Sequence, residues 1–452
     1  MAAEAPLLGP DERLVVVDDD PTGSQTVAGV PLLLRFDDAD LRWALGQRSA
    51  IVFALTNSRA GTEAEAVEVN ERLGEAIQTL TGELGLTPRL LSRGDSTLRG
   101  HFPAEVVALD AGMRRAGAAP LDATLLCPAY VEAGRVSVGD IHYLERDGSR
   151  IPVAETEFAR DPVFGFDTSN LRRWAAGRLA RAALPSEVAS VPLETIRAGV
   201  EPTRRELLGQ AVGGRTVVLN AERRDDLDVL ARAVAAVERD GRRFVYRTAP
   251  SFVAARAGRP VPTPIGGSAG RGPGLVVVGS HTELTTAQLA QAVESRGLRV
   301  VELATGDLIA SSRRRAAAVR RAVDECVSGL ARADVSLVTS RAEERSSGPG
   351  DAVATKAAIA AGIVAAVRAI VARRMPSFVL AKGGITSHDI ARKALGAGRA
   401  TVLGQLFEGQ VAAWRLEDGA LGAEAPYVVF PGNVGRADSL TRALDRVAGA
   451  PA

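Results

Sequence analysis

The sequence predicts an α/β protein built from two domains, each with a mostly parallel sheet, and a ligand cleft between them. Three observations carry this expectation. Short β-branched runs alternate with long Ala/Leu/Arg/Glu-rich segments, the pattern of βαβ units. The runs are almost continuously apolar, as strands covered on both faces are. The alternation then breaks at residues 257–274, AGRPVPTPIGGSAGRGPG, and restarts beyond them. Pro and Gly dominate that segment without periodicity, so it reads as a linker. The 452 residues suit two or three domains of roughly 100–200 residues each. We therefore divide the chain into residues 1–256, the linker 257–274, and residues 275–452.

In the first domain, strands are expected at Leu14–Val17, Ile51–Leu55, Arg89–Ser92, Thr124–Leu126, Thr216–Leu219 and Phe244–Tyr246. Helical patterns fill Glu63–Leu80 and Leu227–Asp240. In the second, strand Leu275–Val278 leads to a helix with a capping-box pair at Thr285 and Gln288, ending near Gly297. Strands Arg299–Leu303, Ser336–Thr339, Phe378–Ala381 and Tyr427–Phe430 come next. Helices are expected at Ala352–Arg374, Thr386–Leu395 and Ala437–Val447.

Composition narrows the function classes. Lys plus Arg number 55 against 54 acids, so the chain as a whole has no drive towards nucleic acid or an anionic membrane. Two cysteines, Cys127 and Cys326, exclude a disulfide framework and fit a reducing cytosol. MAAEAPLLGPDER has neither the basic nor the apolar region of a signal peptide, and the charge-free stretch Ala357–Val367 is shorter than the roughly 20 residues of a membrane span. The expectation is a cytosolic protein. Lysine occurs only at Lys356, Lys382 and Lys393.

In open parallel sheets ligands sit beyond the carboxyl ends of the strands. In the first domain, strand one runs into Asp18-Asp19-Asp20-Pro21-Thr22-Gly23 and strand two into Thr56-Asn57-Ser58-Arg59. Strand three runs into Arg93-Gly94-Asp95-Ser96-Thr97-Leu98-Arg99-Gly100-His101. Strand four runs into Cys127-Pro128-Ala129-Tyr130, with Glu132, Gly134 and Arg135 just beyond. Acids, hydroxyls and arginines with few aromatics suit a small, hydroxylated, anionic ligand, because guanidinium forks bind carboxylates and carboxylates bind sugar-type hydroxyls. A single acid after a strand is usually a helix cap. Three acids directly after an apolar strand crowd like charge, which raises the pKa of at least one. Arg59 alone decides nothing, because arginines abound. The dense run RGDSTLRGH is costly for a purely structural loop. Glu132 and Arg135 read as an ordinary salt bridge.

The second domain repeats glycine after its strands: Gly279-Ser280-His281-Thr282, Lys382-Gly383-Gly384-Ile385-Thr386-Ser387 and Pro431-Gly432-Asn433-Val434-Gly435. Glycine there lets backbone N–H groups approach a phosphate, and the N-terminus of the next helix adds partial positive charge. Three such turns on one rim point to a nucleotide phosphate site, with Lys382 as a point charge or as a surface lysine ending a strand. No Walker P-loop, Rossmann fingerprint or nucleophile elbow occurs, and the four histidines show no metal-ligand spacing, so no protein metal site is expected. Arg313–Arg321 reads as a solvated helix face, and Ala352–Arg374 as a core helix.

The segments DDPTG at 19–23, DSTLRGH at 95–101, PAYVEAGR at 128–135, GSHTELT at 279–285, KGGITS at 382–387 and PGNVG at 431–435 resemble, in order, the four-carbon acid sugar kinases. The resemblance implies an N-terminal acid-sugar-binding domain, a C-terminal ATP-binding domain, and ATP-dependent phosphorylation of a hydroxyl on threonate, erythronate, 3-oxo-tetronate or a related acid. It implies a substrate side of Asp19 or Asp20, Arg59, Asp95, Ser96, Thr97, Leu98 and Arg99. The ATP side would be Ser280 or Thr282, Gly383, Gly384, Ile385, Thr386 and Gly432, with Lys382 beside them. The chain departs from the pattern at Pro21, at Arg93-Gly94, at Ile385 and at Pro431, which touches the substrate assignment more than the kinase reading.

The expected chemistry is in-line transfer of a phosphoryl group with Mg²⁺ bridging the ATP phosphates. One of Arg59, Arg93 and Arg99 would grip the substrate carboxylate, and Asp95, Asp19 or Asp20 would accept the hydroxyl proton or orient the hydroxyl. The rivals are an NAD-dependent sugar-acid dehydrogenase, an ATP-dependent ligase, and a non-catalytic protein that binds a sugar acid and a nucleotide. No nucleic-acid or membrane partner is expected, and a homodimer is left open.

Overall fold

A computed structural model describes residues 6–146, 148–258, 264–265, 272–279, 282–340, 349–407, 410–432 and 434–448. The chain divides into two compact units, Met1–Pro262 and Thr263–Ala452. Both are α/β with mostly parallel sheets.

The first unit holds β1 (Glu12–Asp18), β2 (Val30–Leu33), β3 (Ile51–Leu55), β4 (Thr87–Arg93), β5 (Ala123–Cys127), β6 (Arg135–Val138), β7 (Ile141–Arg146), β8 (Ser149–Pro152), β9 (Val188–Val191), β10 (Arg215–Leu219) and β11 (Phe244–Thr248). Its main sheet runs in the order β2-β3-β1-β4-β11-β5-β10-β9, with parallel neighbours throughout. The chain leaves β1 towards β2 and β3 on one side and leaves β4 towards β11 and β5 on the other. The topological switch point therefore lies between β1 and β4, where Asp18 pairs in register with Arg93. Ligand crevices of open α/β sheets form at such points. One core cluster joins Val15, Val17, Val52, Ala54 and Leu90 of the strands to Leu73, Ile77, Val106 and Leu109 of helices Glu63–Glu83 and Ala104–Arg115. Each Val, Leu or Ile among these contributes about 1.5–3 kcal/mol by leaving water.

The second unit holds β12 (Leu275–Val278), β13 (Arg299–Leu303), β14 (Val335–Thr339), β15 (Val379–Lys382), β16 (Arg399–Phe407), β17 (Val411–Leu416) and β18 (Tyr427–Phe430). The order is β13-β14-β12-β15-β18-β17-β16, parallel as far as β18 and antiparallel beyond it. Its core gathers Val276, Phe378, Leu380, Val428 and Phe430 against Leu440, Ala443 and Leu444 of helix Ser439–Ala448.

Several expectations need correction. The expected strands omit β2, the antiparallel sheet β6-β7-β8, β9, and the β16–β17 pair. β9 is an edge strand, β2 has four residues with a proline among them, and the others are antiparallel or bulged, so their apolar runs are short or interrupted; β16, for example, shifts register at Gly404. The helix after β12 is capped by Thr282, whose side chain accepts from the Thr285 backbone N–H, so Thr285 and Gln288 are not the capping box. Within the expected linker, Ile265 donates to Gln405 O at 2.8 Å and packs on the second core. Residues 259–263 and 266–271 of that segment lie outside the described residues. The helix expected from Ala352 runs Pro349–Arg373. Its stretch Ala354–Arg373 is long and apolar enough to cross a membrane by length and composition, and 33% of it is buried. That buried part includes Ile363, Ala366, Val367 and Ile370, on one helical face.

Candidate functional site

The rim of the first sheet is a lattice of buried ion pairs. Asp18 and Asp19 are 1% and 2% exposed, so the three consecutive acids are not a solvated turn. Asp18 pairs with Arg93 at 2.9 Å. Asp19 pairs with Arg59, with Arg247 at 3.3 Å, and with Arg93 at 3.7 Å. Asp20 pairs with Arg59 at 3.3 Å and caps the turn after β1 by accepting from Thr22 N at 2.8 Å. Arg247 also donates to Glu105 at 2.7 Å and Ser92 at 2.9 Å. Removing one partner from such a buried pair costs about 3–5 kcal/mol, because it strands the other charge.

These pairs set the protonation states. Burial pushes the Asp18 carboxyl up to about 7, with Arg93 and the Asp20 backbone N–H resisting and the Asp19 charge adding to the rise. For Asp95 burial also disfavours the charge, but Arg59, Arg99 and a hydrogen bond from Thr97 outweigh it and hold the carboxyl well below its ordinary range. Asp20 is likewise held down by Arg59 and Arg93 against burial. Arg59 is kept charged by Asp19, Asp20 and Asp95 despite its own burial.

The loop after β4 delivers Asp95. Its carboxylate accepts from Thr97 and from Arg99 Nε at 2.6 Å, and Arg99 lies 3.8 Å from Asp161 with its guanidinium over the Phe158 ring. At Gly100, φ is +114°, and a Cβ would stand 2.7 Å from Arg247 Nη2 and 2.9 Å from Asp19 Oδ2, so only glycine lets the loop lie on the ion pairs. His142 of β7 fixes the same loop. Its Nε2 meets Ser96 O at 2.7 Å and its Nδ1 meets Ser137 Oγ at 2.9 Å. A carbonyl can only accept, so Nε2 carries the proton and Nδ1 accepts from the serine. Burial pushes the imidazole down to about 4.

A small cleft opens against this loop, lined by Gly94, Asp95, Arg99, Trp174, Arg247 and Thr248 among others. Of the residues expected on the substrate side, Asp19, Asp20, Arg59, Asp95, Thr97 and Arg99 are brought together, Leu98 lines the cleft, and Ser96 holds the loop through its carbonyl. Sequence reasoning missed Arg247 and Thr248, which end β11. The signal that could have found them is their own place at a strand end, but Ala249 and Pro250 beyond them carry none of the polar density of the other turns. Glu132 does not pair with Arg135; it accepts from Ser251 and lies 3.6 Å from Arg224, while Arg135 Nη1 donates to Ala133 O at 2.7 Å.

In the second unit the three glycine turns form one rim. Gly279 N donates to Lys382 O at 3.3 Å and Gly383 N to Phe430 O at 2.8 Å. Thr282 and Thr285 hydroxyls both donate to Gly432 O, at 2.9 and 2.8 Å, and Gln288 Nε2 donates to Val434 O and Arg436 O at 3.0 and 2.8 Å. A Cβ on Gly279 would stand 2.1 Å from Thr386 Oγ1, so the first two turns touch only because glycine is there. Ser280, His281 and Asn433 lie outside the described residues. Ile385 is 57% exposed.

Lys382 is not a surface lysine. It is fully buried, donates to Pro431 O at 3.1 Å, and holds its ammonium 3.9 Å from the centre of the Phe430 ring. Burial pushes its pKa down to about 7. Downstream, helix Gly384–Asp389 passes into a π-helical turn at Ile390–Ala394. The Tyr427 hydroxyl donates to Ser387 O at 2.5 Å and accepts from the Ala391 backbone, two groups that would otherwise bond each other. A side chain inserted into the helical ladder explains the π turn.

This arrangement, an acid-and-arginine rim in one unit and a glycine rim in the other, matches two family models. Residues 14–256 match the sugar-binding N-terminal domain and residues 275–440 the nucleotide-binding C-terminal domain. The chain belongs to the four-carbon acid sugar kinase family. A family relative, the D-threonate kinase of Cupriavidus necator, is 30% identical over 224 residues. That alignment spans 48% of this chain and 48% of the relative, about half the length of each. The family fold is shared with Haemophilus influenzae protein HI1011, with a TM-score of 0.63 and 18% identity over 95% of this chain and 98% of that one. A Salmonella typhimurium LT2 protein, provisionally described as a tRNA synthase, aligns with a TM-score of 0.69 and 18% identity over the same shares.

Proposed function

We propose that this chain is an ATP-dependent kinase that phosphorylates a hydroxyl of a four-carbon acid sugar such as threonate, erythronate or 3-oxo-tetronate. The observation that carries the reading is the clamped Asp95 at the switch point of the sugar-binding sheet, held ionised by Arg59 and Arg99. A fixed, fully ionised carboxylate orients a sugar hydroxyl for attack. Phosphoryl transfer asks mainly for such positioning and for charge stabilisation, less for a strong base. Asp19 and Asp20 hold Arg59 in place beneath it. Arg59 and Arg93 are buried among the three aspartates, whereas Arg99 bonds Asp95 through Nε and is the most open of the candidate arginines at 27% exposure, so its terminal nitrogens grip the substrate carboxylate.

On the nucleotide side, the turns at Gly279, Gly383-Gly384 and Gly432 bring the loop backbone to one rim, with the Gly279 and Gly383 N–H groups themselves bonded to Lys382 O and Phe430 O, and Lys382 supplies a positive charge once phosphate arrives to stabilise its protonated form. Ile385 and Thr386 continue that turn, and Thr282 braces Gly432. Among the described residues no cluster of three or more His, Cys, Asp or Glu could hold a metal ion. The residues present fit Mg²⁺ only as a counter-ion that arrives on ATP. Bound there, Mg²⁺ would offset the charge on the phosphates. Both cysteines are free and buried, which suits the reducing cytosol.

A coupled ADP-release screen over four-carbon and branched sugar acids tests the reading. Acid-dependent ADP release with at least one of them is expected. Binding without release with every acid would leave a non-catalytic binding protein.

A further inference from the structure

We infer that Thr248 and Trp174 recognise the substrate, the threonine hydroxyl and the indole N–H donating hydrogen bonds to oxygen atoms of the hydroxy acid that enters the cleft beside Asp95. The inference rests on the proposed function for the class of occupant and goes beyond it in naming which groups select that occupant.

Both side chains line the cleft that Asp95 and Arg99 line. Thr248 ends β11, next to β4 and β5, and its backbone is fixed because its carbonyl accepts from Gly94 N at 2.8 Å. Trp174 stands on helix Leu171–Arg181, its ring stacked on Phe102 with centroids 5.1 Å apart and planes at 20°. The two are 2% and 5% exposed, yet Thr248 Oγ1 and Trp174 Nε1 have no hydrogen-bond partner among the described residues. A buried donor normally finds a partner, so an orphan calls for an explanation. Two neutral donors orphaned on one cleft share one explanation, an oxygen-bearing ligand that completes them.

The donor set describes the occupant. An indole N–H can only donate, so the ligand presents an acceptor oxygen there. The ionised Asp95 can only accept, so the ligand also presents a hydroxyl or another donor. Leu98 and Leu126 supply apolar walls for a short carbon chain. A polyhydroxy carboxylate meets all three demands. An amine could satisfy Asp95 but would leave the indole N–H unpaired.

The test is calorimetric titration of the full wild-type chain and its T248V and W174F variants with threonate, erythronate and ATP–Mg²⁺ separately. Thr248→Val keeps the shape and Trp174→Phe keeps the stack on Phe102, and neither breaks a bond inside the protein. Each variant is expected to bind the acid about tenfold more weakly, which corresponds to about 1.4 kcal/mol, with ATP affinity and ligand-free melting midpoint unchanged. Unchanged acid affinity in both variants would overturn the inference, as would an equal loss of ATP affinity or a wild type that binds neither acid. Should W174F fold poorly, T248V decides alone. A wild type that binds acid, loses it in the variants, and yet releases no ADP would uphold this inference while rejecting the kinase reading.

Discussion

His142 and Asp95 show how single residues on neighbouring elements set up one loop. His142 is neutral in the folded chain, because the Ser96 carbonyl and Ser137 hydroxyl use both ring nitrogens and burial disfavours a second proton. Its folded pKa of about 4 lies below its ordinary value of 6.5. The unfolded chain therefore binds the extra proton first, and the stability His142 contributes is complete above pH 6.5 and lost as pH falls towards 4. The full effect is on the order of 3 kcal/mol. His142→Gln should flatten the urea-measured stability slope over that window relative to wild type; an unaltered slope would contradict the assignment. Asp95 is the other end of the same loop. Asp95→Asn should lower turnover by about 10²–10⁴-fold while the thermal shift produced by ATP–Mg²⁺ persists, and near-normal turnover would remove Asp95 from the mechanism.

At the scale of elements, the glycine rim is held from behind by two buried side chains. Tyr427 wedges open the helix that begins after Gly383 and so fixes the direction in which the turn points. Tyr427→Phe should cost about 1–2 kcal/mol of stability, the worth of buried hydrogen bonds left unmade. It should also raise KM for ATP several-fold with KM for the acid unchanged. Loss of stability alone would make Tyr427 a packing residue only. Lys382 is held near Phe430 with its pKa lowered by burial from 10.5 to about 7. Wild-type stability should therefore rise between pH 7 and 10.5, where the unfolded chain holds the extra proton. Lys382→Met should remove that rise, be at least as stable as wild type at pH 7, and bind ATP at least about tenfold more weakly. Intact ATP affinity in the variant would show that the ammonium does not reach the phosphates.

At the scale of the whole molecule, the prediction concerns which ligands the chain takes up. Each ligand that binds only the folded form stabilises it by mass action, about 2.7 kcal/mol at a hundred times its dissociation constant. ATP–Mg²⁺ and a four-carbon acid should each raise the melting midpoint, and NAD should not. A midpoint raised by NAD and not by ATP would favour the dehydrogenase alternative.

The sequence by itself determined the alternation of strands and helices, because unbroken apolar runs bounded by polar turns have few other solutions. It also placed Asp19, Asp20, Arg59 and Asp95 at strand ends, where ligands collect, and the glycines on a second rim. Local patterning could not decide which charges pair. Arg247 reaches Asp19 across 228 positions of chain, and no short-range signal marks such a partner. Nor could it show that Lys382 is buried, that Tyr427 splits a helix, or that Thr248 and Trp174 share a cleft with Asp95. Burial, hydrogen-bond partnership and pKa depend on what packs against a group in space. For these residues the neighbours come from distant strands and helices, and only the folded chain brings them together.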